Sequence, residues 1–263
     1  MSHPGSETVL VTGASSGIGL ELAKCFAADK SNLVLVSRNE EALQELASEL
    51  RERSQIQVHV LTADLSKPES PQQIFDDVGR AGLCVDVLVN NAGFGLHGSF
   101  AELPLQRQRD MIQVNVAALV ELTGLFLPGM IQRRRGGILN VGSVAGFLPG
   151  PNMAIYYATK AFVSSFSDAL YEELRGTGVA VTNLCPGPTE TNFSKVARSH
   201  RVRKVRSAKM SAAAVARIGY AEFRQGKGVS VPGASNKVLA GLTRLLTRRR
   251  LAKLSGHYNR LDD

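Results

Sequence analysis

Two side chains in the segment 155–160 have the types and spacing needed for proton-transfer chemistry. Tyr156 and Lys160 lie four residues apart, so in a helix they would share one face, one turn from each other. A neighbouring ammonium favours the phenolate, which would lower the tyrosine pKa from its usual value of about 10 towards the working pH. Such a tyrosine can donate or accept a proton during a reaction. The same spacing also fits an ordinary exposed pair, so other parts of the chain must distinguish the two interpretations.

A glycine-rich turn near the start of the chain predicts a phosphate-binding site. The preceding segment 8–12 reads TVLVT, which is typical of a buried strand, and a helical pattern follows the turn. Backbone N–H groups and the helix dipole at such a turn attract phosphate, and glycines allow it to approach closely. The predicted cradle consists of Gly13, Ser15, Ser16, Gly17, Ile18 and Gly19. A plain strand-to-helix turn is the alternative.

The end of the second predicted strand, residues 32–36, indicates which dinucleotide the turn would bind. A site for NAD carries an acidic residue near this point, which holds the ribose 2′-hydroxyl. This chain has Ser37 and Arg38 there instead, and a hydroxyl with a guanidinium suits a 2′-phosphate. The sequence therefore predicts NADP(H) as the cofactor. The alternative is that Arg38 is only a solvated loop charge.

Apolar strand-like segments alternate with amphipathic helical patterns along the chain. After the first two, the predicted strands are 56–61, 85–89, 137–141, 179–184 and 228–231. This alternation predicts a single α/β domain over residues 1–263, with a Rossmann-type doubly wound parallel sheet of about seven strands. Ligands of such sheets bind beyond the carboxyl ends of the strands, where Asp64 and Asn90–Gly93 would lie.

An ordered set of motifs resembles the short-chain dehydrogenase/reductase family. The motifs are Thr12-Gly13-x-x-x-Gly17-x-Gly19, Asn90-Asn91-Ala92-Gly93, Asn115, Ser143, Tyr156-x-x-x-Lys160 and Pro186-Gly187-x-x-x-Thr191. Ser143 precedes Tyr156 by 13 residues, the usual separation in that family. The resemblance is dense over residues 8–193 and loose beyond them.

The resemblance implies a catalytic group of four residues. Tyr156 would be the general acid/base, and Lys160 would lower its pKa and bind the nicotinamide ribose. Ser143 would hydrogen-bond the substrate carbonyl and stabilise developing negative charge. Asn115 would hold a water that links Lys160 to solvent as a proton relay.

The resemblance also implies where cofactor and substrate lie. Further cofactor contacts would come from Asp64, Leu65, Asn91, Ala92, Gly93, Pro186, Gly187, Thr189 and Thr191. The apolar residues expected near the substrate are Phe94, Leu96, Phe147 and Phe193. They indicate a lipophilic carbonyl or alcohol substrate, such as a 3-oxoacyl chain or a hydroxysteroid.

Composition argues against several other classes of protein. The three cysteines are far apart, and no spacing typical of metal ligands occurs, so we expect reduced thiols and no metal site. Residues 1–8 lack the features of a signal peptide, and no uninterrupted apolar run reaches about 18 residues. We therefore expect a cytoplasmic protein. The most apolar helical stretch, between Leu105 and Arg134, is expected to kink or divide at Pro128.

The last third of the chain is strongly basic. From Lys195 to Lys253 there are 16 lysines and arginines against one acidic residue, and the whole chain has a net charge of +8. The segment of about 188–212 falls where the family carries a substrate lid. This basic lid is either a solvated loop or a binding surface for an anionic substrate tail, such as a CoA or carrier-protein thioester.

A predicted helical extension, residues 234–263, follows the last strand. Its two apolar stripes are Val238, Leu239, Leu242, Leu245 and Leu246, and then Leu251, Leu254, Tyr258 and Leu261. At about 100° per residue the stripes are rotated by roughly 140°, so one straight helix cannot bury both. We expect a break near 247–250, with Arg248–Arg250 at the bend. The extension could shield the substrate, form a homodimer or homotetramer contact, or make a peripheral membrane contact.

The sequence thus favours an oxidoreductase that uses NADP(H) to interconvert a carbonyl and a secondary alcohol. The alternative is a non-catalytic NADP(H)-binding sensor or scaffold, against which the tyrosine, lysine, serine and asparagine argue. A nucleic-acid partner is not expected, because the basic segments lack interleaved aromatic residues and any known reading motif.

Overall fold

Seven parallel strands form one sheet with helices on both of its faces, which confirms the predicted fold class. The computed structural model describes residues 7–191, 193, 209–243 and 245–260. The strands are β1 Thr8–Thr12, β2 Asn32–Ser37, β3 Val58–Thr62, β4 Val87–Asn90, β5 Gly136–Val141, β6 Val179–Leu184, β7 Thr189–Glu190, β8 Met210–Ser211 and β9 Val229–Ser230. The helices are α1 Gly17–Ala28, α2 Glu40–Ser54, α3 Ser70–Arg80, α4 Leu105–Ile112, α5 Ala118–Gln132, α6 Ala154–Glu173, α7 Ala212–Arg224, α8 Ala234–Leu242 and α9 Arg248–Tyr258.

The strand order β3-β2-β1-β4-β5-β6-β9 places the topological switch between β1 and β4. Successive residues of a strand point to opposite faces. Val9 and Val11 therefore pack with α1, α2 and α7, whereas Leu10 packs with α3, α5 and α6. Because both faces are covered, the central strands read as continuous apolar runs rather than alternating ones. The crevice outside the carboxyl ends of β1 and β4 is where sheets of this type bind ligands.

The long apolar helix is interrupted at Asn115 and continues through Pro128, so the expected division at Pro128 is wrong, while a kink there stays a prediction. A π-helical turn, Gln113–Ala117, separates α4 from α5, and the Asn115 amide bonds both the N–H and the carbonyl of Phe94. Pro128 lies inside α5 without ending it. Phe126 and Met130 are buried on either side of the proline, and this packing holds the helix together.

The helical stretch Leu105–Gln132 meets the length and composition criteria for a membrane-spanning helix, contrary to the expectation from the sequence. Its residues Leu122, Phe126 and Met130 are buried in the core of the domain. A core helix meets the same criteria, so the finding is weak evidence for a membrane span.

The extension after β9 consists of two helices, as the rotated stripes predict. Helix α8 ends at Leu242 and α9 begins at Arg248, with Thr247 as its N-cap in extended conformation. The break therefore precedes the arginines, and Arg248–Arg250 form the first turn of α9 rather than the bend. The basic cluster of the predicted lid, from Lys195 to Arg206, lies outside the described residues.

Candidate active site

A cavity of about 1410 Å³ opens at the carboxyl edge of the sheet. The strand-edge wall consists of the turns that follow β1 to β6 together with the start of α6. The C-terminal wall consists of Leu239, Leu242, Thr243, Leu246, Leu251, Leu254, Ser255, Tyr258 and Asn259. Typical small-molecule pockets measure about 300–1,000 Å³, so this cavity has room for a dinucleotide and a second ligand.

The turn between β1 and α1 allows an anion to approach the backbone. Gly13 has a φ of 65°, and a Cβ there would lie 2.8 Å from Nδ2 of Asn91. The Asn91 amide donates to the carbonyls of Thr12 at 2.8 Å and Gly13 at 3.2 Å, which ties the turn to the end of β4. Ser16 is the N-cap of α1, but its hydroxyl makes no capping bond, so the first N–H groups of the helix are available to a phosphate.

Gly19 supports this turn from behind and does not line the cavity. A Cβ at Gly19 would lie 2.3 Å from Nδ2 of Asn91 and 2.5 Å from the carbonyl of Gly13. Only a glycine lets α1 pack this close to the turn. Gly19 thus has a packing role in this structure, and its predicted contact with the cofactor stays a prediction.

The far end of the strand-edge wall carries an arginine beside a carboxylate. Ser37, Arg38 and Asp64 all line the cavity, and the Arg38 side chain is exposed. Partial burial raises the pKa of Asp64, but hydrogen bonds from Ser66 and the charge of Arg38 outweigh it and leave the pKa lowered. Asp64 therefore stays ionised, and the Arg38 charge stabilises its carboxylate without a direct ion pair.

The Tyr156 phenol lies between Ser143 and the aromatic ring of Phe193. Ring centroids of Tyr156 and Phe193 are 5.2 Å apart, and Ser143 hydrogen-bonds the phenol. Burial raises the pKa of Tyr156 to about 12, and the Ser143 bond only partly opposes the rise. The expected lowering of this pKa by Lys160 is therefore wrong for the protein's own groups, because the cost of burying a phenolate dominates and Lys160 contributes no resolved effect.

Lys160 is buried one helical turn away and is held by the sheet. Its Nζ donates to the carbonyl of Val141 at 2.7 Å. Burial lowers the pKa of Lys160 to about 8, because the apolar surroundings disfavour the ammonium. Gly93 lies next to it: a Cβ there would be 3.6 Å from Nζ of Lys160 and 3.1 Å from Oδ1 of Asn115.

Asn115 sits behind the cavity and does not line it. Its side chain is fully buried and donates to the Phe94 carbonyl at 3.0 Å and to the Thr159 hydroxyl at 3.1 Å. Through these hydrogen bonds the Asn115 amide holds the backbone at Phe94 and the first turns of α6 in place. The side chain thus positions its neighbours, and its predicted part in a water relay stays a prediction.

Most of the other predicted residues meet at the cavity. Those on its lining are Ser15, Gly17, Ile18, Leu65, Ala92, Pro186, Gly187, Thr189 and Thr191. Of the four predicted apolar substrate contacts, Phe94 and Phe193 line the cavity, whereas Leu96 and Phe147 do not. Leu96 is instead buried, and Phe147 ends the short 3-10 turn after Ser143.

Asn259, which anchors the C-terminal wall, is a site residue that no sequence pattern predicted. It is buried, and its Nδ2 donates to the carbonyl of Pro151 at 3.1 Å. Its Oδ1 accepts from the Tyr157 hydroxyl at 3.4 Å, and its own carbonyl accepts from Nδ2 of Asn152 at 3.1 Å and lies 2.9 Å from Nε2 of His97. No motif marks this residue, because its partners come from segments more than 100 positions away.

Arg107 is a second residue of the cavity that the sequence analysis did not predict. Its guanidinium lies 4.9 Å from the Phe94 ring centroid, and both side chains line the cavity.

Among the residues that the structure describes, no group of three or more His, Cys, Asp or Glu side chains is placed to hold a metal ion.

Comparison with known proteins identifies the family. A family model described as short chain dehydrogenase matches residues 7–202. Sulfoacetaldehyde reductase 2 of Chromohalobacter salexigens is 42% identical over 193 residues, which are 73% of this chain and 76% of that protein. Very-long-chain 3-oxoacyl-CoA reductase of Homo sapiens is 35% identical over 196 residues, which are 72% of this chain. The matched part spans 62% of the length of that relative, less than two thirds.

The fold matches solved structures over nearly the whole chain. A short-chain dehydrogenase from Sphingobium yanoikuyae in complex with NADPH superposes with a TM-score of 0.80 at 32% identity, covering 92% of this chain and 97% of that one. The match therefore extends beyond the segment shared with the curated relatives. From its sequence, fold and family match, the chain belongs to the short-chain dehydrogenase/reductase family, a family of oxidoreductases that act on alcohols and carbonyls.

Proposed function

We propose that this protein uses NADP(H) to interconvert a carbonyl and a secondary alcohol on a lipophilic substrate. The observation that carries the proposal is one cavity that joins Tyr156, Ser143 and Lys160 to a glycine turn and Arg38. The glycine turn suits a pyrophosphate and Arg38 suits a 2′-phosphate. The NADPH bound by the Sphingobium yanoikuyae relative supports the same cofactor.

The proposed reaction assigns one task to each side chain. Ser143 donates a hydrogen bond to the carbonyl oxygen and stabilises the charge that develops there. Tyr156 donates its phenolic proton to the alkoxide during reduction and accepts a proton during oxidation. The bound cofactor supplies or accepts the hydride at the carbonyl carbon. Lys160 stabilises the phenolate that proton donation leaves behind.

The high pKa of Tyr156 favours the reducing direction in this proposal. A phenol with a pKa of about 12 is almost wholly protonated near neutral pH, so the acid needed for carbonyl reduction is ready. Oxidation requires the phenolate, which is scarce at the same pH. A cationic oxidised nicotinamide near the phenol would lower the pKa of Tyr156 and so raise the fraction of phenolate available for oxidation.

A lipophilic substrate fits the walls of the cavity. Phe94 and Phe193 line the same cavity as Tyr156 and the leucines of the C-terminal wall. Apolar walls favour a substrate that buries hydrocarbon, at about 25 cal/mol per Å². The human relative acts on very-long-chain 3-oxoacyl-CoA, which is of this kind, whereas sulfoacetaldehyde is small and anionic.

A homodimer or homotetramer accounts for apolar residues on the outer helices. Large apolar side chains are exposed on α4, α5 and α6 at Leu105, Ile112, Val120, Ile131, Phe162 and Tyr171. Packing these helices against a second copy would cover the exposed apolar side chains.

A cytoplasmic location agrees with the free thiols of Cys25, Cys84 and Cys185.

Paired tyrosine variants test the proposal. Tyr156→Phe should lower kcat for ketone reduction with NADPH by about 10²–10⁴-fold, because only the proton donor is lost. Tyr157→Phe is the matched control: it removes the neighbouring hydroxyl, which bonds Asn259, and should leave kcat within a few-fold of the parent. NADPH affinity, measured by fluorescence, should be unchanged in both.

Equal losses in the two variants would refute the role of Tyr156. No turnover of any ketone or aldehyde by the parent protein, together with tight NADPH binding, would favour the non-catalytic sensor or scaffold instead.

A further inference from the structure

Several apolar side chains of the C-terminal wall line the cavity and also face water. Leu242, Leu254 and Tyr258 line the cavity, yet they are 49%, 62% and 38% exposed. Val238 on α8 and Leu245 in the break are 61% and 81% exposed. A cluster of water-facing leucines marks a surface that a partner covers.

The same segment is positively charged throughout. No Asp or Glu occurs between Glu222 and Asp262. The exposed cations on α8 and α9 are Lys237, Arg248, Arg249, Arg250 and Lys253. Within the described part of the chain, none of them forms an ion pair, so their charge is available to an anionic partner.

From these two observations we infer that the C-terminal wall docks on an anionic lipid surface and that a lipophilic substrate enters the cavity from that surface. The exposed leucines insert at the boundary of headgroups and acyl chains, while the arginines at the start of α9 contact lipid phosphates. The substrate then passes along Leu242 and Leu254, which belong both to the docking surface and to the cavity. The entry route rests on the proposed function; the docking does not.

Other partners fit these residues less well. A second copy of the same surface would bring two clusters of unpaired cations together, which repel each other. Nucleic acid would satisfy the arginines but not the leucines, because single strands are held by aromatic stacking and duplexes by contacts to phosphates and base edges. A lipid surface satisfies both kinds of side chain.

Vesicle sedimentation tests the inference. The protein should bind vesicles of phosphatidylcholine with phosphatidylglycerol, bind vesicles of phosphatidylcholine alone weakly, and dissociate at high salt. The variant Arg248→Ala/Arg249→Ala/Arg250→Ala should partition about 100-fold more weakly, since each cation adds to the attraction. Leu245→Ser should partition about tenfold more weakly, because it removes an inserting side chain.

A matched control removes the same charge elsewhere. Arg53→Ala/Arg80→Ala/Arg175→Ala changes three exposed arginines that lie outside the C-terminal wall and do not line the cavity, and it should leave vesicle binding unchanged. An equal loss in this control would overturn the inference, because binding would then depend on net charge alone. Equal binding to neutral vesicles, no vesicle binding, or a dimer that the Arg248–Arg250 variant disrupts would also overturn it.

Turnover of a small water-soluble ketone with NADPH separates the two proposals. Arg248–Arg250 and Leu245 do not line the cavity, so their variants should keep the parent rate. If the parent protein turns over the ketone but does not bind vesicles, the docking is refuted and the proposed function is not. Vesicle binding without turnover of any carbonyl would refute the proposed function and leave the docking in place.

Discussion

The two walls of the cavity are held in place by different physical means. The strand-edge wall is fixed by the sheet: the Thr12 hydroxyl accepts from the N–H groups of Asn91 and Ala92 at 3.0 Å, and Lys160 donates to the carbonyl of β5. The C-terminal wall consists of two short helices that form no part of the sheet. Asn259 and the buried Ser255 anchor it to the carbonyls of Pro151 and Pro149, while Leu245 next to α8 faces water.

The difference suggests that the strand-edge wall serves the chemistry and the C-terminal wall serves the choice of substrate. Groups that transfer a proton or bind a dinucleotide must hold their positions closely, and strand ends provide that rigidity. A wall of leucines needs only the right size and polarity, so helices held by a few side-chain contacts to loops are sufficient. Changes to one wall should therefore affect the cofactor and the chemistry, and changes to the other should affect the substrate.

After the loss of Tyr156, the next largest effect is expected from the cofactor end of the strand-edge wall. Arg38→Asp should shift the ratio of kcat/KM for NADPH over NADH by about 100-fold towards NADH, because it replaces a charge-assisted bond with repulsion. The ketone KM should stay the same. Arg53→Asp, at the far end of α2, serves as the control and should keep the parent ratio. An unchanged ratio in Arg38→Asp would rule out its contact with a 2′-phosphate.

The pH dependence should report the buried lysine. Lys160 has a pKa of about 8, so its ammonium is present below this pH and is lost above it. The kcat/KM for ketone reduction should be flat up to about pH 8 and then fall about tenfold per pH unit. Alcohol oxidation also needs the phenolate of Tyr156, whose pKa is about 12. The rate of alcohol oxidation should rise with pH up to about pH 8 and then level off. Above that pH the growing fraction of Tyr156 phenolate is cancelled by the falling fraction of Lys160 ammonium.

Lys160→Arg provides the comparison for these profiles. A guanidinium does not titrate in this range, so the fall in reduction above pH 8 should disappear in whatever activity remains. A fall at the same pH in this variant would assign it to another group.

The smallest effect is expected from the anchor of the C-terminal wall. Asn259→Ala removes the donor to Pro151 and the acceptor for Tyr157, which should lower the free energy of unfolding by about 1–3 kcal/mol. The KM for a lipophilic ketone should rise several-fold, with NADPH affinity unchanged, because only one wall loosens. Lys253→Ala on the same helix is the control and should change neither. A loss of NADPH affinity in Asn259→Ala would contradict the independence of the two walls.

Local signals account for the accuracy of the sequence prediction at the strand-edge wall. Gly13, Arg38 and Ser143 each follow a strand, and parallel strands bring their carboxyl ends to one edge, so spacing alone predicted their meeting. The break between α8 and α9 was also predictable, because helical periodicity is local. The position of the arginines relative to that break was not, since helix ends depend on caps and contacts.

The sequence by itself determined the doubly wound sheet, the family and most of the strand-edge wall, because periodicity and short motifs act over neighbouring residues. Only the tertiary structure decided the division of the long helix at Asn115, the withdrawal of Gly19, Leu96 and Phe147 from the cavity, and the anchoring by Asn259. It also reversed the expected pKa shift of Tyr156. Each of these depends on burial and on hydrogen bonds between distant segments, which spacing along the chain does not contain.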